Sequence, residues 1–334
     1  MRAFRKVSTF SLVAVFALLF VLGSSSIFTF SYGSLPTSTK VSALVYVSNA
    51  GSNSVSVISG TKVIKTVPVG SFPIAQMAYV PSSHELFVTN YGSEENGKTV
   101  SVIDTQTNKV IKTISGFSGP SSAVYVPTDN AVYVSNFAAN KVYEVNVTTF
   151  KIVQKISVGT DPELSMFNPV NGFVYVSNDE SGSVSVINPA TNKVVKTLNG
   201  LSFPIGIAFD PANNDTYVAN AGASSVVVFS IDNKLIKNIT GFEVPWYLAY
   251  NPTNKEMYFT DAAASYVYVI SSSNKVVRTI SGLNEPYGIA YNPSNGLMYV
   301  GNGGSNNVQT INGYKLGKAI TVGEEPVGVT VVSG

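Results

Sequence analysis

The sequence contains no cysteine, a single histidine, a single tryptophan and few charged residues. The lack of cysteine excludes disulfide bonds, thiolate catalysis and cysteine-ligated metal sites. The lone histidine, His84, excludes a metal site built from several imidazoles, and its position in a turn disfavours a Ser-His-Asp relay. Only 12% of the 334 residues are charged. Polarity therefore comes largely from the abundant Ser, Asn and Tyr, a composition typical of extracellular β proteins.

The net charge of +2 depends on the N-terminal segment. Without Arg2, Arg5 and Lys6 the chain has 18 basic and 19 acidic residues. Binding to nucleic acid relies on many phosphate contacts from Lys and Arg, so this balance gives no reason to expect it.

Residues 1–26 have the order of a secretory signal. Basic residues near the start precede the apolar run Phe10–Leu22, and small polar residues follow. Because no clear cleavage site is present, an uncleaved membrane anchor is the alternative. Residues 27–40 form a Ser/Thr/Pro-containing linker. Both interpretations place residues 41–334 outside the cytoplasm or at the cell surface, with membrane contact only through the N-terminal segment.

A four-residue motif, Tyr46–Asn49 (Tyr-Val-Ser-Asn), recurs through the rest of the chain. Successive copies are 41 to 46 residues apart, and a period of about 40–45 residues is typical of a four-stranded propeller blade. With Tyr46–Asn49 there are seven such tetrads, the others being Phe87–Asn90, Tyr133–Asn136, Tyr175–Asn178, Tyr217–Asn220, Tyr258–Asp261 and Tyr299–Asn302.

Distances inside the repeats are nearly constant. In six repeats nine residues separate the end of the tetrad from the last apolar residue of the next strand, as from Asn49 to Ile58. In the second repeat, Asn90 to Ile103, the distance is thirteen. A proline precedes each tetrad except the first, whose missing proline-led strand is supplied by Pro326–Val332 at the other end of the chain.

Each repeat predicts four alternating strands separated by turn residues. In the last full repeat these are Tyr287–Tyr291, Leu297–Gly301, Asn307–Ile311 and Lys315–Ile320. The sequence therefore predicts an all-β, seven-bladed, WD40-like propeller of four-stranded antiparallel blades. Three N-terminal strands and one C-terminal strand close the ring.

These motifs resemble the YVTN β-propeller family of archaeal surface-layer and secreted bacterial proteins. The resemblance covers residues 41–334 and rests on the tetrads, on Gly51–Ile58, on Thr191–Thr197 and on Pro286–Pro293. It implies an exported or cell-surface propeller and carries over no catalytic residue, because the family motif is itself structural. Phe87, Asp261 and the enlarged second repeat depart from the pattern.

The tetrad side chains are expected to be structural. Asn at the end of a strand caps the following turn, and the tetrad Tyr packs between blades. The sequence thus provides no catalytic candidate.

Acidic residues cluster where the outermost strand of one blade leads into the innermost strand of the next. These connections converge on one opening of the channel, so the carboxylates are expected to favour a cation or a basic ligand. The long loop Tyr91–Lys98 and Trp246 join the same face, Trp246 either as an exposed recognition aromatic or as a channel plug. The candidate ligand-binding residues are Glu94, Glu95, Asp161, Glu163, Trp246, Glu285, Glu324 and Glu325.

A Ca²⁺ site is one alternative at this face, with Asp161, Glu285 and Glu325 as ligands; no other cofactor is expected. Three sequons, at Asn146, Asn214 and Asn238, are candidate glycosylation sites. Asn146 and Asn214 are expected on the face opposite the acids, which leaves the acidic face bare.

Two functions are compatible with these features. The first is a non-catalytic surface-layer component or recognition scaffold that binds a protein, peptide or glycan across the acidic opening. The second is a metal-dependent hydrolase or lyase of the lactonase type with a channel site, for which fold analogy is the only support.

Overall fold

Seven antiparallel sheets form the blades of a propeller ring. The computed structural model describes residues 43–333. The signal or anchor segment 1–26 and the linker 27–40 lie outside the described residues. The predicted fold class is confirmed: each blade has an innermost, a second, a third and an outermost strand, and each tetrad ends a second strand.

The strands follow the repeat along the chain, and four short 3-10 turns are the only helical segments within residues 43–333. The strands are β1 (Leu44–Asn49), β2 (Ser54–Ser59), β3 (Lys62–Pro68), β4 (Ala78–Val80), β5 (Glu85–Asn90), β6 (Thr99–Asp104), β7 (Lys109–Ser115), β8 (Pro120–Val126), β9 (Ala131–Asn136), β10 (Lys141–Asn146), β11 (Lys151–Ser157), β12 (Pro162–Phe167), β13 (Val174–Asn178), β14 (Ser183–Asn188), β15 (Lys193–Asn199), β16 (Pro204–Asp210), β17 (Asp215–Asn220), β18 (Ser225–Phe229), β19 (Leu235–Thr240), β20 (Pro245–Asn251), β21 (Glu256–Asp261), β22 (Tyr266–Ile270), β23 (Val276–Ile280), β24 (Pro286–Asn292), β25 (Leu297–Asn302), β26 (Asn307–Asn312), β27 (Lys315–Leu316), β28 (Ile320–Thr321) and β29 (Pro326–Val332).

The two ends of the described chain close the ring. Strand β29 pairs antiparallel with β1, in a register that runs from Leu44 opposite Val332 to Asn49 opposite Pro326. The first blade therefore has the order β29-β1-β2-β3, which confirms the predicted three-plus-one closure. Closure completes the first blade from distant segments, and radial repetition leaves only short, protected strand edges.

The outermost strand of the seventh blade departs from the sequence prediction of one strand over Lys315–Ile320. It is broken into β27 and β28, which both pair with β26. At the break, the Gly317 amide donates to the Thr310 carbonyl over 2.7 Å. The chain folds tightly against β26 there, and a glycine accommodates this close approach.

The innermost strands share a register shift near their first residue. In β12, Pro162 pairs with Asn178 and the next paired residue is Ser165, opposite Val176. The same shift follows the first proline of β16, β20 and β24. Such bulges change the direction of side chains at the end of a strand. The two residues after the proline have no paired residue on the second strand.

Tyrosine hydroxyls link five of the seven blades to the following blade. The fully buried tetrad tyrosines Tyr46, Tyr133 and Tyr217 donate to side-chain oxygens of Asn108, Asn192 and Asn274, over 2.6, 2.9 and 2.5 Å. Each acceptor is a left-handed residue in the turn between the third and outermost strands of the following blade. Tyr258 and Tyr299 donate instead to the backbone carbonyls of Gly313 and Gly60, the corresponding turn residues, so these bonds also join blade seven to blade one.

The second blade has a phenylalanine in the tyrosine position and a matching exception in the next turn. Phe87 lacks the hydroxyl, and Phe150 replaces the turn asparagine of the third blade. The two ring centroids are 6.3 Å apart. An apolar pair thus replaces the hydrogen-bonded pair, so neither member leaves a buried polar group without a partner.

The tetrad asparagines have a structural role, but it is not the predicted capping of the following turn, to which Asn136, Asn220 and Asn302 make no side-chain bond. Their side chains bond instead to the third strand and to the connection that precedes the innermost strand. Asn49 and Asn90 each donate from their amide to two hydroxyls on the third strand. Asp261 performs the task with a carboxylate, which accepts backbone amides of Glu243, Val244 and Ala264. The sixth blade is therefore regular although Asp261 replaces the tetrad asparagine.

We expect Phe87→Tyr to destabilise the full chain by about 1–3 kcal/mol, because its hydroxyl would meet the Phe150 ring without an acceptor. Adding Phe150→Asn restores the acceptor found in other blades. Urea unfolding of the two single variants and the double variant should give a favourable coupling of at least about 1 kcal/mol. Additive effects of the two changes would contradict the pairing, and Tyr133→Phe, losing about 1 kcal/mol, serves as the reference.

Candidate functional site

One face of the ring carries the connections that precede the innermost strands and the turns that follow the tetrads. We call this face the mouth; its connections are residues 69–72, 116–119, 158–161, 200–203, 241–244, 281–285 and 322–325, and its turns directly follow the seven tetrads. The predicted acidic residues all lie on the mouth except Glu163, which lies on the channel wall below it.

Apolar side chains of the innermost strands close the channel below the mouth. Among the innermost strands lies a cavity of about 10 Å³, lined by Gln76, Leu164, Tyr247, Leu248, Ile289 and Val329. This is about the space one water molecule occupies. The described inner strands therefore pack closely below the mouth.

Glu163 is on innermost strand β12 and not in the preceding connection, where the sequence placed it beside Pro162. It occupies the bulge after the proline, and its backbone carbonyl accepts the hydroxyls of Ser121 and Ser122 from the neighbouring blade, at 3.1 and 2.7 Å. The pKa of the Glu163 carboxyl is raised to about 8, mainly by burial and secondly by the negative charge of Asp179.

Asp179 and Glu180 belong to the same cluster, and the sequence analysis missed them. They follow tetrad Asn178 in the turn after β13, on the mouth side. Burial, and after it the charge of Asp161, raises the pKa of Asp179 to about 6. The repeat pattern could have indicated both residues, because every turn after a tetrad lies on the same face as the connections that precede the innermost strands.

We name Glu95, Asp161, Glu163, Asp179 and Glu180 the acidic cluster. Burial raises the pKa of Asp161, with Glu180 and Glu95 adding to the effect. Every charge that acts on the pKa values of Asp161, Glu163 and Asp179 is acidic. The cluster thus has an uncompensated negative potential, which a cationic group would relieve.

A second acidic group lies at the connections before β24 and β29. Burial and the charge of Glu285 raise the pKa of Glu325, while Glu285 and Glu324 are exposed. Tyr287 lies near both Glu285 and Glu325, and burial is the main cause of its raised pKa.

The structure gives no support to a Ca²⁺ site at Asp161, Glu285 and Glu325. Asp161 interacts with the acidic cluster, whereas Glu285 and Glu325 interact with each other. Within residues 43–333 no group of three or more acidic or imidazole side chains is placed to hold a metal ion. The donor set that a divalent cation requires is therefore not assembled by these carboxylates.

The loop Tyr91–Lys98 projects from the mouth between β5 and β6, as the longer second repeat predicted. The Gly97 amide donates to the Tyr91 carbonyl over 2.7 Å, and the Glu95 amide to the Gly92 carbonyl over 3.2 Å. The Tyr91 ring packs edge-on against Phe137 of the third blade, with centroids 5.7 Å apart. These contacts fix the loop while Glu94 and Glu95 remain exposed.

Trp246 lies on β20 and packs toward the channel. Its ring is 5.5 Å from that of Tyr287 in an edge-on arrangement, and it contacts the apolar core between the inner strands. Of the two predicted roles, this position agrees with the channel plug. The exposed aromatic of the mouth is Phe203, 50% exposed beside Pro204, which the sequence analysis did not select.

The remaining predicted residues lie away from the mouth. His84 is in the turn before β5, with Nδ1 3.4 Å from the Tyr79 hydroxyl. Asn146 ends β10 and Asn214 lies in the turn before β17, both on the opposite face, whereas Asn238 is exposed on outermost strand β19. These positions leave the mouth free of sequons, and nothing in the structure tests whether the three are glycosylated.

The comparisons with known proteins identify the fold. No protein-family model matches the sequence, and no curated protein matches it either. The structure is similar to hydrazine synthase of Kuenenia stuttgartiensis, at 20% identity and a TM-score of 0.72, over 86% of this chain and 99% of that chain. It is also similar to a functionally unknown protein from Desulfotomaculum acetoxidans, at 16% identity and a TM-score of 0.75, over 87% and 99% of the two chains.

A third similar structure is dihydro-heme d1 dehydrogenase NirN in complex with DHE. The identity is 11% and the TM-score 0.62, over 86% of this chain and 74% of that chain. At such identities the likeness shows the fold alone. Within residues 43–333, no helical segment has the length and apolar character needed to cross a membrane.

The pKa of Glu163 predicts a loss of stability at high pH. Its folded-state pKa of about 8 lies above the ordinary 4.5. The contribution of Glu163 to the free energy of unfolding is therefore complete at acidic pH and is lost as the pH rises to about 8. We expect Glu163→Gln to remove about 2 kcal/mol of the decrease in unfolding free energy between acidic and alkaline pH, after allowance for the exposed part of the carboxyl.

Urea unfolding at several pH values measures this effect, with Asp232→Asn on the opposite face as the control. Parallel pH profiles for Glu163→Gln and the unsubstituted chain would rule out a raised pKa at this carboxyl.

Proposed function

We propose that this chain is an exported, non-catalytic recognition scaffold of the cell surface that binds a positively charged partner across the mouth. The observation that carries the proposal is the acidic cluster, whose desolvated carboxyls have only acidic groups acting on their pKa values. A Lys-rich or Arg-rich protein segment supplies the missing charge.

The filled channel favours binding over catalysis. Solved propellers of this shape include enzymes, hydrazine synthase among them, so the fold does not separate the two functions. A lactonase-type enzyme requires a metal and a substrate pocket in the channel. The described residues provide no set of metal ligands, and the cavity among the innermost strands at Leu164 and Tyr247 measures only about 10 Å³.

Export and surface location are supported by the N-terminal segment and by the tetrads. Residues 1–26 have the order of a secretory signal. The seven tetrads resemble the repeat of the YVTN family of surface-layer and secreted propellers. A surface-layer component or surface receptor is the role that combines these features with an acidic mouth free of sequons.

Binding of a lysine oligopeptide to the full chain tests the proposal. Because the cationic ligand prefers the ionised carboxyls, affinity should rise as the pH increases through about 6 and about 8, the pKa values of Asp179 and Glu163. Isothermal titration should show proton release from the protein on binding in this range.

The variant Glu163→Gln/Asp179→Asn should bind the peptide at least about fivefold more weakly and lose most of the pH dependence. Asp232→Asn/Glu256→Gln removes two carboxyl groups from the opposite face and should leave the affinity unchanged. Its change in net charge equals that of the mouth variant once the pH is well above the Glu163 pKa of about 8. Equal affinity of the two double variants would refute the mouth as the binding surface.

A further inference from the structure

Positive charge on the described chain is concentrated on the outer rim of the ring. Of the 17 Lys and Arg residues within 43–333, fourteen lie on or beside the outermost strands, in one pair per blade. The outermost strands themselves contain no Asp or Glu. The rim is thus basic and the mouth acidic on the same molecule. The pairs are Lys62/Lys65, Lys109/Lys112, Lys151/Lys155, Lys193/Lys196, Lys234/Lys237, Lys275/Arg278 and Lys315/Lys318.

The rim also exposes apolar side chains between these cations. Ile64, Ile111 and Val195 are 53, 50 and 51% exposed. Lysines on an edge strand discourage edge-to-edge pairing of sheets, which explains their presence in every blade. That role is the same in all seven blades and does not explain why one part of the rim is recessed.

The recess lies between the outermost strands of the first and seventh blades. Its volume is about 620 Å³, against 430 Å³ for the corresponding groove between the second and third blades. Lys62 and Thr61 form one side, and Lys318 and Thr321 line the other. The break between β27 and β28 directly precedes or includes the lining residues Lys318 to Thr321. The ring closure thus offers two ammonium groups around a concave surface.

The loop Tyr91–Lys98 is the complementary feature on the mouth. Its exposed tip, Ser93 to Asn96, carries two carboxylates. The Gly119 amide of the third blade donates to the Gly97 carbonyl over 2.9 Å, and a Cβ at Gly97 would overlap the Asn90 carbonyl. The loop is therefore held in one shape before any partner arrives, which lowers the entropy lost on binding.

We propose that this loop of one copy inserts its Glu94 and Glu95 into the Lys62/Lys318 recess of a second copy. The inference rests on the proposed function, since it names a second copy of this chain as a positively charged partner of the mouth. Loop and recess are different surfaces, so the contact is heterologous and leaves a free loop at one end and a free recess at the other. Such contacts propagate into open chains of subunits.

The expected association is weak and salt-sensitive. Exposed ion pairs each contribute up to about 1 kcal/mol, and salt screens them over about 10 Å at 0.1 M ionic strength. Sedimentation velocity of the full chain at low ionic strength should show concentration-dependent oligomers that dissociate when salt is added.

Charge reversal tests which surfaces are in contact. Glu94→Lys/Glu95→Lys and Lys62→Glu/Lys318→Glu should each weaken self-association by at least about tenfold. A chain with all four substitutions should associate again. An equimolar mixture of the two double variants should also associate, in alternating order, because each loop then meets a recess of opposite charge. Lys112→Glu/Lys151→Glu, in the smaller groove, should leave association unchanged.

Several outcomes would overturn the inference. Association that ignores the charge reversals, or no association while the lysine oligopeptide still binds the mouth, rejects the contact and leaves the proposed function standing. A glutamate oligopeptide serves as a further probe of the recess. If it binds the unsubstituted chain but not Lys62→Glu/Lys318→Glu, and the unsubstituted chain does not self-associate, the recess binds a different acidic partner. Conversely, a lysine oligopeptide that binds Glu163→Gln/Asp179→Asn normally rejects the proposed function, even if the charge reversals behave as expected.

Discussion

The contact between a tetrad tyrosine and the outer turn of the following blade is the interaction on which the ring depends. A single four-stranded blade cannot bury both of its faces, so each blade requires a neighbour on either side. The tyrosine ring fills the space between blades, and its hydroxyl bonds to a left-handed Asn or Gly in the next blade. The pair Phe87 and Phe150 obeys the same rule with apolar groups. The repeated tetrad is thus one half of a contact whose other half lies about 60 residues further along the chain, as from Tyr46 to Asn108.

Because the tetrads all perform this structural task, the features that distinguish this propeller are its departures from the repeat. The second blade has a longer, rigid and acidic loop. The fourth blade has a carboxylate, Glu163, at the position after the proline, where the other blades place Ile74, Ser121, Ile205, Trp246, Tyr287 and Val327. The seventh blade has a divided outermost strand. A ring held together by a recurring contact tolerates such changes at its loops and edges, since the tetrad contacts between blades are kept.

The filled channel determines the electrostatics of the mouth. Apolar side chains below the mouth exclude water, so the carboxyl of Glu163 loses hydration without gaining a basic neighbour, and its pKa rises. The lysines are at the rim, where the outermost strands face solvent. This separation gives the molecule an acidic face and a basic circumference, although its overall charge is close to neutral. The net charge by itself indicates neither the acidic nor the basic surface.

The sequence by itself determined the number of blades, the position of the second strands and the splice that closes the ring, because strand alternation and turn residues are local and recur with a constant period. It also placed Asp161, Glu285, Glu325 and the long loop on one face. Only the tertiary structure decided that Glu163 lies on the channel wall, that Asp179 joins its cluster while Glu285 does not, and that a recess opens beside Lys62 and Lys318. Those relations depend on a bulge after Pro162, on the packing of neighbouring blades and on the closure of the ring, and each joins residues far apart in the chain.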